Sequence, residues 1–460
     1  MPTGRSLQLL VGRYLPNAAK DPAKALRRRV RERAADRRFR GRSLPDTTAA
    51  DDAPRHVTVV VVDALRADAV DPETTPFLNS LSGTDAVAPG TWTYPSVCSL
   101  VTGRYPHEHG AMRRSDDPES ATEAELTLPP ELGDDVVTLP EQFAGAGYDT
   151  YGAFGFEMPM QALGGRFETH TLYTRGTAGT MLDDYRDWLS ARTGLQTFAY
   201  LHLFDPHGPF DTTPPAAYRR AHDVDDDIIG DGTWRFTDEW DGADAQQYHT
   251  HRIRLYEAAV DYVDDQLADF AASLPDDHAL MVTGDHGEAF GEHAAFDVKH
   301  FYDSRPAHSV GHGGTPYEAV ARVPLLVDGL PIADGPASGV DLTPTLLGAA
   351  GIEVPSPVSG YDHADGLPDD RIPLVEAARY GHEKKAVYRG GWKLLVSRGD
   401  DEAVGFELPA ERQADLPEDV ETTLRTALPA WPGDGTGEDG DGERRVDESV
   451  QQRLSELGYT

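Results

Sequence analysis

Val57-Thr58-Val59-Val60-Val61-Val62 runs straight into Asp63, and this β-branched stretch constrains the fold more than any other feature of the chain. Such side chains suit a pleated strand, and the lack of polar alternation suits a strand buried on both faces, as in a parallel sheet covered by helices. Two later segments have the same form. Residues 197–204 lead into Asp205-Pro206-His207, and residues 279–283 lead into Gly284-Asp285-His286-Gly287-Glu288. In open α/β sheets ligands gather beyond the carboxyl ends of the strands. Three expected strands that end in Asp or His therefore place a polar site at one end of the sheet. Helical patterns such as residues 255–270 lie between them, which predicts an α/β fold with a large, mixed, mostly parallel sheet flanked by helices.

At 460 residues the chain exceeds one compact core, so a catalytic domain over 55–375 and a small α+β subdomain over 376–460 are expected. Short strands are expected at 385–388 and 392–396, a loosely held Gly- and Asp-rich segment at 432–447, and a last helix at 450–457. The first 43 residues carry 13 Lys or Arg and 3 Asp or Glu, whereas the whole chain has a net charge of −36. This break marks residues 1–43 as a basic arm separate from the catalytic fold. An apolar-rich stretch at 6–15 and a basic helical run at 25–42 allow it a weak contact with an anionic membrane surface, and the alternative is an arm folded onto the acidic body or left mobile. The acidic remainder suits a solvated surface in a salty, halophilic cytoplasm and disfavours nucleic acid as a partner. Cys98 is the only cysteine, which excludes an intramolecular disulfide and a zinc-thiolate cluster and fits a reducing interior. With no apolar run of about 18 residues and no signal-peptide pattern, a cytoplasmic or membrane-peripheral location is expected.

Carboxylates and an imidazole at Asp63, Asp285 and His286 suit a divalent cation, which would polarise a bound oxyanion. Ca, Mn, Mg and Zn all fit this reading. A second informative stretch spans residues 88–104. Pro95 and Gly103 bracket a short helix, so Thr93 falls at its N-terminus, where free N–H groups and the helix dipole favour an alkoxide and an anionic substrate.

Thr93-Tyr-Pro-Ser-Val-Cys-Ser-Leu-Val-Thr-Gly-Arg-Tyr-Pro-His-Glu-His-Gly110 resembles the nucleophile signature of the sulfatases, members of the alkaline phosphatase superfamily. Asp285-His-Gly-Glu with Gly291-Glu-His293 resembles the family's second metal segment. Tyr317-Glu, Arg322-Val-Pro-Leu-Leu, Val340-Asp-Leu-Thr-Pro-Thr-Leu-Leu and Arg453-Leu-Ser-Glu-Leu-Gly-Tyr459 resemble later landmarks in the same order. The resemblance implies an alkaline-phosphatase-like fold, an ester hydrolase, and one divalent metal ion held by Asp63, Thr93, Asp285 and His286. It also implies that His207, in Phe204-Asp-Pro-His-Gly-Pro-Phe210, and His312, in Gly311-His-Gly-Gly, serve catalysis and substrate binding.

The departures matter too. Sulfatases oxidise a Cys or Ser to formylglycine; here the position is Thr93, with Val97 in place of the usual Arg, so no formylglycine is expected. The paired carboxylates usual after the first strand are reduced to Asp63-Ala64, and the usual Gly-Lys-x-His reads Gly155-Phe156-Glu157-Met158. This pattern resembles the Thr-nucleophile branch, which includes phosphodiesterases and glycerol-phosphate transferases. Phosphoesters or phosphodiesters are accordingly the favoured substrates, as small anionic esters, glycans or lipid headgroups. The alternatives are a sulfuric ester hydrolase working without formylglycine and a non-catalytic binder of anionic glycans or headgroups. Asp205, His207 and His312 form a competing second-metal reading, and His107, His109 and His293 are expected to make structural contacts.

Overall fold

The computed structural model describes residues 17–113, 127–174, 176–207, 214–230, 243–305, 308–432, 444–445 and 451. Helix α1 (Asn17–Arg40) precedes strands β1 (His56–Val62) and β2 (Ser82–Val87), helix α2 (Thr93–Thr102), and strands β3 (Asp149–Phe154) and β4 (Thr169–Leu172). Helix α3 (Ala178–Ser190), β5 (Thr197–Leu203), helix α4 (Ala243–Ala271), β6 (His278–Gly284), β7 (Arg322–Asp328), β8 (Ala337–Ser338) and helix α5 (Leu342–Ala349) follow. The eight strands form one sheet in the order β8-β2-β7-β6-β1-β5-β3-β4. β1 lies between β5 and β6 and runs parallel to both, while β7 runs antiparallel to β2 and β6. The mixed, mostly parallel sheet expected from the valine run is thus present.

Every residue of β1 is buried. Its alternation sends Val57, Val59 and Val61 into one core with Tyr94, Val97 and Cys98 of α2 and Leu346 and Leu347 of α5. Val60 and Val62 enter the opposite core with Met181, Leu182 and Tyr185 of α3 and Leu255, Val263 and Phe270 of α4. Each such valine contributes about 1.5–3 kcal/mol on burial, so helices on both faces are what hold this strand. Thr58 is its one interior hydroxyl, 3.0 Å from the hydroxyl of Tyr185.

A second sheet is wholly antiparallel: β9 (Leu374–Val375), β10 (Lys385–Arg389), β11 (Trp392–Ser397), β12 (Glu402–Glu407) and β13 (Arg412–Gln413), in that order. Gly390 and Gly391, at φ 57° and 83°, make the two-residue turn between β10 and β11. A tight hairpin of this kind needs positive φ at both positions, which glycine adopts without strain. Leu424 from helix α6 (Glu418–Ala427) joins Val387 and Leu394 of the sheet and Tyr105 and Val340 of the larger body in one apolar cluster. Residues 6–15, 433–443, 446–447, 450 and 452–457, for which a membrane contact, a loose segment and a last helix were expected, lie outside the described residues.

The basic segment expected to stand apart from the fold is seated on the sheet. Glu32 and Asp36, one turn apart on α1, accept hydrogen bonds from the backbone N–H groups of Leu172 and His170, at 3.0 Å each. These donors, two residues apart, belong to edge strand β4, so one face of the helix closes the open side of the sheet. Asp36 also holds His170 Nδ1 at 2.9 Å, Arg31 pairs with Glu157 at 2.7 Å, and Ala35 and Phe39 are buried. No helix among the described residues is long and apolar enough to cross a membrane.

Asp205, just beyond β5, accepts from the N–H of Ala178 at 2.8 Å and so ties the strand end to the first turn of α3. Complete burial pushes its carboxyl up to about 7.

Two predictions follow from these edges. Glu32→Ala and Asp36→Ala each uncover a strand donor and are expected to cost about 1–3 kcal/mol in urea unfolding, with self-association in the double variant. Unchanged stability and a monodisperse double variant would show that β4 needs no cover. Because the folded state keeps Asp205 protonated longer than the unfolded chain, its contribution is complete below about pH 4 and is lost as pH rises towards 7, by up to roughly 4 kcal/mol. Asp205→Asn keeps an oxygen for Ala178 and should flatten that fall; a parallel pH profile in the variant would rule out Asp205 as its source.

Candidate active site

The register Val62↔Gly284 between β1 and β6 makes the next residue on each strand, Asp63 and Asp285, neighbours. Ala64 turns away at φ 63°, a left-handed backbone rarely adopted by a side-chain-bearing residue. Its N–H and that of His286 lie 3.3 and 3.0 Å from Asp285 Oδ1. His286 Nδ1 lies 2.9 Å from the carbonyl of Gly287, which can only accept. Nδ1 therefore carries hydrogen, and Nε2 presents its lone pair 3.5 Å from both Asp63 Oδ1 and Asp285 Oδ2.

Thr93 enters from the first turn of α2, as the Pro95 and Gly103 pattern implied; Gly103 ends that helix at φ 66°. Its hydroxyl lies 3.4 Å from Asp63 Oδ2 and 3.3 Å from His286 Nε2. All four side chains are wholly buried. Burial and the neighbouring Asp285 carboxylate push Asp63 well above the usual carboxylate range.

These residues fit a divalent cation. Asp63 Oδ1 and Asp285 Oδ2 are buried without a hydrogen bond, and with a nitrogen of His286 they fall within 4.8 Å of one another. Two carboxylates and an imidazole supply the donors and the opposing charge that such an ion needs.

His207 and His312 complete the cluster. The His312 ring lies 4.3 Å from that of His286 and 4.7 Å from that of His207. Phe204 stacks on His207 at 4.8 Å. Asp205 does not join them, because its carboxylate faces α3; among the described residues Asp63, Asp285 and His286 are the one group placed to hold an ion. His107, His109 and His293 contact Glu376, Ser99 and Glu411 at 2.6, 2.9 and 2.9 Å.

Sequence reasoning missed three members. His202, on β5, puts Nε2 3.0 Å from Asp63 Oδ2, and burial lowers its pKa to about 4, so the ring is neutral. A strand period of two running back from Phe204 would have placed it on the face of the sheet that α2 covers. Glu288 holds His312 Nδ1 at 2.7 Å and is itself held by Arg252 Nη2 at 2.8 Å. Arg252 comes from the middle of α4, and only its burial, invisible in sequence, separates it from a surface arginine.

Residues 55–352 match the Sulfatase family model. A choline-sulfatase from Rhizobium meliloti (strain 1021) is 28% identical over 175 residues, 34% of this chain and 31% of that protein. An uncharacterized sulfatase, YidJ, from Escherichia coli (strain K12) is 28% identical over 134 residues, 27% of this chain and 24% of that protein. The chain thus matches less than a third of either curated relative's length. Among solved structures, a protein in complex with its substrate D-glucosamine-2-N,6-O-disulfate superposes with a TM-score of 0.59 at 17% identity, covering 88% of this chain and 98% of that one. A phosphonate monoester hydrolase from Silicibacter pomeroyi gives a TM-score of 0.54 at 16% identity, covering 81% and 93%. The eight-stranded sheet, the residues gathered at its carboxyl end and a family match over most of the chain lead to one assignment: this protein belongs to the sulfatase family.

Proposed function

We propose that the chain is a metal-dependent hydrolase, or transferase, of anionic esters, with Thr93 as nucleophile and phosphoesters, phosphodiesters or phosphonate esters favoured over sulfate esters. One observation carries this reading: the Thr93 hydroxyl stands at a helix N-terminus between Asp63 Oδ2 and His286 Nε2, at 3.4 and 3.3 Å. A divalent cation held by Asp63, Asp285, His286 and the Thr93 oxygen would supply positive charge for an alkoxide and for the substrate's oxyanion.

The chain's own groups do the rest. Backbone N–H groups in the first turn of α2 lack helical partners and face an incoming anion. Glu288 fixes His312 through Nδ1, so its dealings with substrate run through Nε2, as proton donor to a leaving oxygen or hydrogen-bond donor to an equatorial one. His207, packed between Phe204 and His312, is the second imidazole facing that space. Thr93 Oγ1 passes its proton to Asp63 Oδ2, 3.4 Å away, and forms the bond to phosphorus as the bond to the ester oxygen breaks; that oxygen departs with a proton from His312, and water or an acceptor hydroxyl later releases the phosphoryl group from Thr93, returning the hydroxyl its proton.

Preference for phosphorus follows from residue 93. A formylglycine hydrate expels sulfate through its second hydroxyl, and threonine has none. A threonine sulfate would need direct hydrolysis, whereas a phosphothreonine beside a cation turns over more readily. The phosphonate monoester hydrolase among the similar structures supports the same class, and the glycan-bound relative supports a small anionic sugar ester as an alternative. The lone cysteine and acidic surface favour a salty cytoplasmic setting.

Thr93→Val should retain fold and bound metal yet lose several orders of magnitude in turnover of a chromogenic phosphodiester, and Thr93→Ser should keep part of the rate. Phosphate is expected on the Thr93 peptide of quenched enzyme by mass spectrometry; hydrolysis by Thr93→Val at the parent rate would rule out the covalent route. Asp285→Ala should remove metal and activity together, measured by elemental analysis beside the assay, and full occupancy in this variant would break the ligand assignment. A panel of chromogenic sulfate, phosphate monoester, phosphodiester and phosphonate substrates checks the class, with dominant sulfate turnover as the contrary outcome.

A further inference from the structure

We propose that the outward face of α1 is a docking surface for an anionic lipid bilayer, with four arginines meeting lipid phosphates and Leu26 and Val30 entering the headgroup layer.

Leu26, Arg29, Val30, Arg33, Arg37 and Arg40 recur at steps of three or four residues, so they share one face of the helix, and all six are exposed. The opposite face carries the buried Ala35 and Phe39, with Glu32 and Asp36 at its margin binding β4. Among the described residues the four outward arginines form no ion pair, whereas Arg31, Arg38 and Arg42, turned towards the body, each find a carboxylate there. The chain has 78 acidic residues against 42 basic ones, yet none of those acids reaches this face. A purely cationic stripe on an acidic protein is complementary to an external anion.

Two features select lipid as that anion. Leu26 and Val30, 65% and 58% exposed, are the most exposed large apolar side chains among the described residues, and they stand among the arginines. A polyanion alone gives them nothing to bury against, while the headgroup boundary of a bilayer takes both kinds of side chain. The stripe is also the convex side of one helix, which suits a broad surface, and clusters of about four to eight Lys or Arg on a helix hold to anionic leaflets. Arginine grips phosphate through paired N–H donors at bonding distance, and apolar contact is not screened, so the surface tolerates salt.

The helix also has a defined direction. Glu32 meets Leu172 and Asp36 meets His170, so α1 runs antiparallel to β4, which is parallel to β3, β5 and β1. Its amino end therefore stands at the carboxyl end of the sheet, where Arg31 meets Glu157 just beyond β3. At about 1.5 Å per residue, Leu26 lies about 9 Å further out than Glu32. Lipid bound here lies beside the end of the sheet that carries Thr93.

The test is sedimentation of the full chain with vesicles of phosphatidylcholine, with or without phosphatidylglycerol. Binding is expected only with the anionic lipid and should weaken, without vanishing, as NaCl is raised. Each arginine near such a surface contributes about fivefold, so the triple variant Arg29→Gln, Arg33→Gln and Arg37→Gln should lose about 100-fold in affinity. The double variant Leu26→Ala and Val30→Ala should lose about tenfold; unchanged affinity there overturns the claim that these side chains enter the lipid. Glutamine and alanine keep the helix, so both variants should match the parent in urea unfolding and in turnover of a soluble chromogenic ester. No binding to either vesicle, or binding that ignores the arginines, overturns the proposal and leaves the proposed function standing. A parent that binds anionic vesicles yet hydrolyses no ester overturns the proposed function and leaves this surface standing. A parent dimer that the triple variant dissolves, with no vesicle bound, gives the face to a second copy and overturns the lipid assignment.

Discussion

Asp63 and Asp285 end adjacent parallel strands, and strand pairing brings their carboxylates together out of reach of water. Two unit charges 4 Å apart repel by about 4 kcal/mol at an effective dielectric near 20, and burial adds to that cost. Much of the surrounding structure answers this repulsion. Two backbone N–H groups face Asp285 Oδ1, one of them supplied by the left-handed turn at Ala64, and imidazoles from His202 and His286 approach the remaining oxygens. The positive end of α2 points at the same place. A sheet that sets two acids side by side at its carboxyl end makes, through its register alone, a place that suits a cation.

The outer parts serve this arrangement at a distance. The second sheet reaches the segments flanking α2 through Glu376, a buried carboxylate that accepts from His107 Nδ1 at 2.6 Å and Lys385 Nζ at 2.5 Å, and these partners hold its pKa near 2. Gly90, just before α2, bridges to the same Glu376. At the far edge of the large sheet α1 plays the opposite part, adding nothing to the site and closing a strand. Two of the three acids in the first 43 residues, Glu32 and Asp36, are the ones facing β4.

How far the sequence was legible follows from which forces were local. The valine run, the apolar segments before Asp205 and Asp285, and the Pro95 and Gly103 brackets are short-range signals, and each element lies where they placed it. The short strands after residue 384 were readable for the same reason, since a Gly-Gly turn between apolar runs admits little else. The way the arm docks was not legible because net charge averages over residues: thirteen cations concealed the two carboxylates that face β4. His202, Glu288 and Arg252 were missed because their roles exist only after three distant segments meet. A histidine inside an apolar strand and an arginine in a long helix carry no local mark of what they will touch.

All ten residues of α2 are buried, so the helix that carries Thr93 is gripped along its whole length. Close-packed interiors yield little, and such an element has no low-energy displacement to offer a substrate. The candidate site is consequently a fixed stage, with the Thr93 hydroxyl, the carboxylates and the imidazoles in place before anything arrives. Change over evolutionary time then has an asymmetric outlet. Surface loops can lengthen, shorten or recolour the entrance at small energetic cost, while nearly any exchange along α2 disturbs the interior and the candidate site at once. A lineage built on this plan would diversify in what it admits long before it altered what it does.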